Sequence, residues 1–290
     1  MIQTKLLRIS IVIPVYNEAD ALSACLRSIS RQTIPPYEVI VVDNNSTDET
    51  IAVARRFDFV RVLTESKQGV VHARNTGFNA ASGDIIGRLD ADTILDPDWT
   101  VQVAHIMKDP TVAAVSGSIS YHDLPWLSAA SRVELFFRQR IANGMGSEVF
   151  LQGANMALRR SSWLKVGATT CSSKGLHEDF DLAVHLHDLQ DDQQRVVFDP
   201  SLHANLSLRR FDSSYASFVP YALQNPKTYA VHGRTAQRHM YPAIALVLVF
   251  YLPIKLLYRG YDPITERFSF AKLFAVATNA RVNPATFIDC

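Results

Sequence analysis

A β-branched run from Ile9 to Val15 predicts a strand covered on both faces, as in a parallel sheet. Leu22, Cys25, Leu26 and Ile29 then recur at helical spacing, and Val39 to Val42 reads as a second buried strand. Ser46 with Glu49 has the pattern of a capping box, opening a helix through Phe57. A short strand at Val60 to Leu63, a helix from Val70 to Ala81 ended near Gly83, and a strand at Ile85 to Leu89 continue the alternation. Such an order predicts an α/β fold with a doubly wound, mostly parallel sheet flanked by helices, whose ligands sit at the carboxyl ends of the strands.

Further along, Val112 to Ser118 predicts another strand, Leu127 to Ala142 a helix, and Val149 to Leu158 a partly extended segment. Glu178 to Leu189 reads as helix and Arg195 to Phe198 as strand. No internal repeat is present. The α/β unit is expected to close near residue 210, leaving 211–290 as a helical, partly apolar C-terminal extension. Its most apolar stretch, Tyr241 to Tyr258, carries no charge before Lys255 but contains Pro242 and Pro253. That is short for a bilayer span, so two readings stand: a membrane-surface or re-entrant element, or a buried core helix.

Charge sharpens this division. The net charge is +1, yet the residues after 200 hold ten basic against four acidic side chains, a net of +6 that leaves −5 for the first 200. A basic, apolar final third suits an anionic membrane surface as well as it suits a solvated basic face. The three cysteines, Cys25, Cys171 and Cys290, are too widely spaced to suggest a metal knuckle or a disulfide framework, which fits a reducing cytoplasm. Met1 to Arg8 lacks the apolar stretch of a secretory signal, so export is not expected.

The polar clusters fall at the strand ends. Asp90 and Asp92 can project to one side and converge on one ligand, and their hard oxygens suit magnesium or manganese completed by substrate phosphates. Asp43, followed by Asn44, Asn45, Ser46 and Thr47, could accept from a base N–H or form an Asx turn. Gly69 to Gly77 sets a glycine at a helix entrance with Arg74 in its first turns, either a diphosphate site or an ordinary surface arginine. Glu178, Asp179 and Asp181 crowd the start of a helix, where acids are favoured by the macrodipole and where one could act as a general base. His177, Asp181 and His185 share a helix face, but His187 lies off it, which argues against a metal box. His203 is a candidate third metal ligand or a structural histidine, and Ser207, Arg209 and Arg210 could reach donor phosphates or an anionic lipid carrier.

Taken together and in order, these segments resemble the family-2 glycosyltransferases. The matching text is Ile-Val-Ile-Pro-Val-Tyr-Asn-Glu (11 to 18), Val-Asp-Asn-Asn-Ser-Thr-Asp-Glu-Thr (42 to 50), Gly69 to Gly77, Asp90-Ala-Asp92, Gly153-Ala-Asn155 and Glu178-Asp179. The likeness covers about residues 9 to 210 and is strongest through Trp99. It implies a GT-A fold and a nucleotide-diphosphate sugar donor. Pro14, Tyr16 and Glu18 would line the nucleoside pocket, Asp43 would read the base, and Arg74 would support base or phosphate. Asp90 would sit against ribose and metal, Asp92 would ligate Mn2+ or Mg2+ through the diphosphate, Asn155 with Gly153 would border donor sugar and acceptor, and Asp179 would be the base.

Three departures qualify the likeness. Asn44 stands where many relatives have a second aspartate, Gly167 to Gly175 replaces a glycine-rich approach to Glu-Asp, and the Gln-x-x-Arg-Trp segment of processive synthases is absent. Single-sugar transfer with inversion is therefore the expectation, from a UDP-sugar in preference to a GDP-sugar, to a glycan or lipid-linked acceptor at the inner face of the cell membrane. Peripheral membrane contact would run through 241–258, and no nucleic-acid partner is expected. Three other readings are a polyprenyl-phosphate glycosyltransferase, a nucleotidyltransferase releasing pyrophosphate, and a binding module without turnover.

Overall fold

The computed structural model describes residues 7–124, 135–136, 139–140, 150–171, 175–189, 194–262 and 267–274. The helix expected over Leu127 to Ala142 lies almost wholly outside the described residues.

Eight strands form one sheet. They are β1 (Ile9–Val15), β2 (Glu38–Asp43), β3 (Val60–Thr64), β4 (Ile85–Arg88), β5 (Ile94–Leu95), β6 (Val112–Tyr121), β7 (Met156–Arg159) and β8 (Arg195–Leu206), in the spatial order β3-β2-β1-β4-β7-β6-β8-β5. The first four in that order are mutually parallel; β7 then runs antiparallel to both β4 and β6, and β5 antiparallel to β8. Pro14 is tolerated inside β1 because pairing with β4 ends at Val12, so its missing N–H is not needed on that side.

Both faces are covered. Ile11, Ile13 and Val15 pack with Leu22, Cys25 and Leu26 of α1 (Ala19–Ser30) and with Trp99 and Val103 of α4 (Trp99–Ile106). Val12, Ile40 and Val42 face the other way, onto Ala73 and Phe78 of α3 (Val70–Ala80), Trp163 of α5 (Arg160–Val166) and Leu182 of α6 (Glu178–His187). This two-sided burial is why the strands read as continuous apolar runs.

The second helix is shorter than its pattern suggested. α2 spans Thr50–Ala54, and the Asp48 carboxylate accepts from Thr50 N at 3.0 Å, while Glu49 makes no capping bond. Ser46 instead accepts from Asn17 N at 3.0 Å, and Asn17 Oδ1 accepts from Thr47 N at 2.8 Å. Asn17 adopts φ 53°, a left-handed conformation that asparagine tolerates. The loops after β1 and β2 are thus stitched together, and the capping-box residues serve that seam.

Asn44 has an equally definite structural role. Its amide donates to Glu65 O and Lys67 O, both at 2.8 Å, and its Oδ1 accepts from Gly69 N at 2.6 Å. This pins the entrance of α3, where Gly69 takes φ 134°. An aspartate there would face two carbonyls with no hydrogen to offer. We expect Asn44→Asp to lower stability by about 1–3 kcal/mol for each carbonyl left unsatisfied, seen as a reduced midpoint in urea unfolding.

Beyond the sheet, α7 (Tyr215–Val231) and α8 (Tyr241–Gly260) precede a small hairpin of β9 (Tyr261–Asp262) with β10 (Arg267–Phe268) and the short α9 (Phe270–Phe274). α7 meets the α/β unit through His177 N, which donates to Thr228 Oγ1 at 2.9 Å. α8 is not a core helix. Its own Tyr251 and Tyr258 are buried, but Val249 is 72% and Leu252 59% exposed. The helical stretch Gln237–Gly260 contains an 18-residue window of mean hydropathy 1.9 and is long and apolar enough to cross a membrane by length and composition. Neither proline shortens it: Pro242 occupies the first turn, where a missing N–H costs nothing, and Pro253 is accommodated within the helix.

Candidate active site

An arginine organises the site. Arg88 ends β4 with its side chain almost fully buried, and a buried guanidinium must find carboxylates. Its Nη2 lies 3.1 Å from Asp90 Oδ1 and 3.4 Å from Glu178 Oε1, and its Nη1 lies 3.2 Å from Asp179 Oδ2. Burial alone would weaken its charge, but the three carboxylates hold it firmly protonated. Glu178 and Asp179 reach it because α6 begins at Glu178, with acids in its first turn complementing the helix dipole.

Gly153, in a 3-10 turn over Gly153–Asn155, completes the cradle. Its N–H donates to Asp179 Oδ2 at 2.8 Å, and a Cβ at this position would lie 1.2 Å from Arg88 Nη1 and 2.4 Å from Asp179 Oδ2. Only glycine allows the backbone so close. Asp179 Oδ2 is therefore doubly engaged, whereas its buried Oδ1 has no hydrogen-bond partner among the described residues. Burial pushes the Asp179 carboxyl above its ordinary range against the pull of Arg88. Neighbouring Glu178 goes the other way: burial opposes its charge, but His177, Arg88 and Arg74 hold it ionised.

A second ion-pair cluster borders the first. The Arg209 guanidinium binds Glu18 through both terminal nitrogens, at 2.6 and 2.7 Å, and its Nε lies 2.6 Å from Asp92 Oδ2. Burial raises the Asp92 carboxyl, with Arg209 opposing and Asp90 reinforcing the shift. Asp90 is 37% exposed, so the pair Asp90 and Asp92 spans the border between protein and solvent. Each carboxylate is already met by a guanidinium, Asp90 by Arg88 and Asp92 by Arg209, and both supply the hard oxygens that a divalent magnesium- or manganese-type ion takes.

The other expected residues are distributed as follows. Pro14 is buried and Tyr16 half-buried at the end of β1, and Asp43 Oδ1 accepts from Ser46 N at 3.2 Å in an Asx turn. Arg74 is fully buried and turned toward α6: Nη1 donates to Glu178 O at 2.9 Å, and Nε and Nη2 donate to Asn75 Oδ1. Asn155 is a cross-link of the core, accepting from Trp99 Nε1 at 2.8 Å and donating to Ser118 O and Leu202 O. His203 pairs with Asp96 at 2.7 Å. Ser207 donates to Asp123, and Arg210 stacks 3.9 Å over the ring of Tyr221, whose hydroxyl is 3.4 Å from His177 Nε2.

Three participants escape a reading of the sequence. Arg88 had one signal, a lone charge inside the apolar run Ile85 to Leu89 immediately before Asp90. His122 follows β6, with Nε2 3.2 Å from Asp92 O and Nδ1 3.0 Å from Asp123. Burial works against its protonation, but Asp123 more than offsets this and raises its pKa. Tyr221 gives no local signal, since only the packing of α7 brings it to His177.

Residues 10–167 match the model of the family described as glycosyl transferase family 2. The chain belongs to this family. Among its relatives, the glycosyltransferase AglE of Haloferax volcanii is 32% identical over 166 residues, 55% of this chain and 55% of that protein. A PGL/p-HBAD biosynthesis glycosyltransferase of Mycobacterium bovis is 39% identical over 101 residues, 33% of this chain and 40% of its own. The matches thus span about half or less of these relatives' length. Among solved structures, the mannosyltransferase PcManGT of Pyrobaculum calidifontis, in complex with GDP-Man and Mn2+, superposes with a TM-score of 0.67 at 22% identity, covering 88% of this chain and 74% of that one. The fold of this family-2 chain is accordingly GT-A, as the resemblance implied.

Proposed function

We propose that the chain transfers a single sugar from a nucleotide-diphosphate sugar to an acceptor hydroxyl with inversion, Asp179 acting as general base. The observation that carries this reading is Asp179 Oδ1: a buried carboxylate oxygen without a partner among the described residues, while its twin is fixed by Gly153 N and Arg88. An acceptor hydroxyl donating to Oδ1 would have its proton withdrawn as its oxygen attacks the anomeric carbon from the face opposite the diphosphate. The anomeric carbon–oxygen bond breaks, and the nucleoside diphosphate leaves with the electron pair. Arg88 holds the base in place and, through Asp90, ties it to the donor side of the cleft.

Asp90 and Asp92 would hold a Mn2+ or Mg2+ ion, which when bound neutralises charge on the departing diphosphate. Glu18 acts in this scheme by fixing Arg209 beside Asp92, and Arg74 by fixing the Glu178 carbonyl. Pro14, Tyr16 and Asp43 line the nucleoside end. Asp43 Oδ1 is taken by Ser46 N, which leaves Oδ2 for the base N–H. Asn155 contributes by shaping the floor under Gly153.

The acceptor is a glycan or lipid-linked sugar at the cytoplasmic face of the membrane, with α8 lying along the bilayer surface. One side of α8 is held to the catalytic unit by Lys255, which donates to Ser213 O, and by Arg259 on Asp212, so it is the opposite, exposed apolar side that is free for lipid. An amphipathic placement of this kind suits an interfacial helix.

UDP-sugars are the favoured donors. The GDP-Man held by the Pyrobaculum calidifontis neighbour gives a specific reason to test GDP-sugars alongside, because a carboxylate accepts from the N–H of uracil or guanine alike. Calorimetric titration of the full chain with UDP and with GDP, each with Mn2+, separates the two. We expect UDP binding that depends on Mn2+ and weakens at least tenfold in Asp92→Asn and in Asp43→Ala. Tighter binding of GDP would move the donor class, and binding of neither nucleotide by the folded chain would overturn the reading.

A further inference from the structure

A second cluster of metal-ligating side chains lies behind the base helix, apart from Asp90 and Asp92. Asp181 and His185 stand one turn apart on α6, Cys171 lies in the segment after α5, and His232 caps the end of α7. One ligand atom from each of the four falls within 4.8 Å of the others. From the sequence, His177, Asp181 and His185 share a face but His187 lies off it, which argues against a site; Cys171 and His232 come from two other segments that the fold brings in.

The separations lie around those of a tetrahedral ion, and metal binding would open the hydrogen-bonded contact of His232 with Asp181 to a ligand spacing. His185 Nε2 is 3.9 Å from Cys171 Sγ and 3.6 Å from Asp181 Oδ1, and His232 Nε2 is 2.8 Å from the same Oδ1. Zinc bond lengths of about 2.0–2.3 Å at tetrahedral angles place neighbouring ligand atoms roughly 3.3–3.6 Å apart. The surroundings also aim the ligands. Thr169 Oγ1 donates to Val166 O at 2.8 Å, so its lone pairs face His185 Nδ1 at 3.4 Å and can accept that ring proton, leaving the Nε2 lone pair directed at Cys171 and Asp181. Asp181 Oδ2 accepts from Cys171 N at 2.7 Å, which turns Oδ1 toward both histidines. Outer contacts that fix a histidine tautomer and a carboxylate orientation are what a metal site needs beyond its ligands.

We propose that Cys171, Asp181, His185 and His232 form a structural Zn2+ site. A sulfur, two imidazoles and one carboxylate make a softer set than Asp90 and Asp92, one that selects zinc over magnesium or manganese. Four protein ligands close the coordination shell, which marks the site as structural. Its mechanical effect is to clamp the C-terminal end of α7 and the segment after α5 onto α6, the helix whose first turn carries Asp179. The four are positioning residues for the base helix.

Metal content and a cobalt spectrum of the full chain test this. After saturation with Zn2+ and exhaustive dialysis, about one zinc per chain should remain. It should be lost from His232→Ala and unchanged in Asp92→Asn, which separates it from the donor-side ion. Replacement by Co2+ should give a thiolate-to-cobalt charge-transfer band that disappears in Cys171→Ser and survives in Cys290→Ser. Wild-type protein that retains no zinc, cobalt binding without that band, or a band indifferent to Cys171→Ser would each overturn the assignment. Should His232→Ala fail to fold, the wild-type spectrum and its Cys290→Ser control decide the matter alone.

Discussion

Asp179→Asn is expected to lower kcat by about 10²–10⁴-fold, the usual contribution of a positioned general base, while the chain stays folded and still binds nucleotide. The asparagine is the same shape. Its carbonyl can occupy the place of Oδ2 and keep the bonds from Gly153 N and Arg88, so the cradle survives. Its NH2 then stands where Oδ1 awaits an acceptor, offering a hydrogen where one must be removed. Each tenfold loss corresponds to about 1.4 kcal/mol of barrier. Steady-state kinetics with calorimetric binding of the nucleotide distinguish this from a folding defect. Full turnover in a folded Asp179→Asn chain would remove the base assignment. Because burial raises the wild-type carboxyl, the acid limb of its kcat/KM profile should lie above the ordinary aspartate value of about 3.9. Ionised Asp179 is the active form, so activity rises with pH through that limb.

Replacing Arg88 by methionine should have the largest effect on stability, about 3–5 kcal/mol, because it strips the cation from buried carboxylates and leaves them uncompensated. Asp90, Glu178 and Asp179 all lose a contact within 3.4 Å, and while Asp90 already reaches solvent, neither Glu178 nor Asp179 can do so without moving α6. The loss should depend on pH in a definite direction. Without Arg88 the Asp179 carboxyl rises still further, so the folded state binds a proton that the unfolded chain releases. Stability then falls as pH rises through that folded value, and the deficit is greatest at neutral pH and smaller in acid. Urea unfolding of both proteins at acid and neutral pH measures it. An equal deficit at both would mean that packing, not charge, is what Arg88 supplies.

The sheet was legible because its strands are buried on both faces and declare themselves as apolar runs. β1 spans Ile9–Val15, as its pattern predicts, and α3, β3 and β4 fall within a residue or so of expectation. What the pattern could not carry was the partnership of polar groups. Ser46 and Glu49 look like a cap, yet Ser46 is drawn into a seam with Asn17 that no local rule anticipates. Asn44, noted as a departure from its relatives, turns out to hold three backbone groups, and its reason lies some twenty residues downstream. The acids at Glu178 and Asp179 could be named from the sequence, but Arg88 could not be given its role. Its charge makes sense only with residues ninety positions away beside it.

That distance has a consequence during synthesis. The four parallel strands β3-β2-β1-β4 are complete once residue 88 has emerged, so this half of the sheet can assemble early. Arg88 at its edge must then wait for Glu178 and Asp179, and β5 for β8, before the charge is met and the last strand is paired. Contacts of such long sequence separation are slow to form. A nascent chain truncated after residue 167, where the family match ends, would keep only Asp90 of the three carboxylates around Arg88 and would leave β6 without β8. The segment that identifies the family therefore depends on residues encoded after it to complete both its buried ion cluster and its sheet.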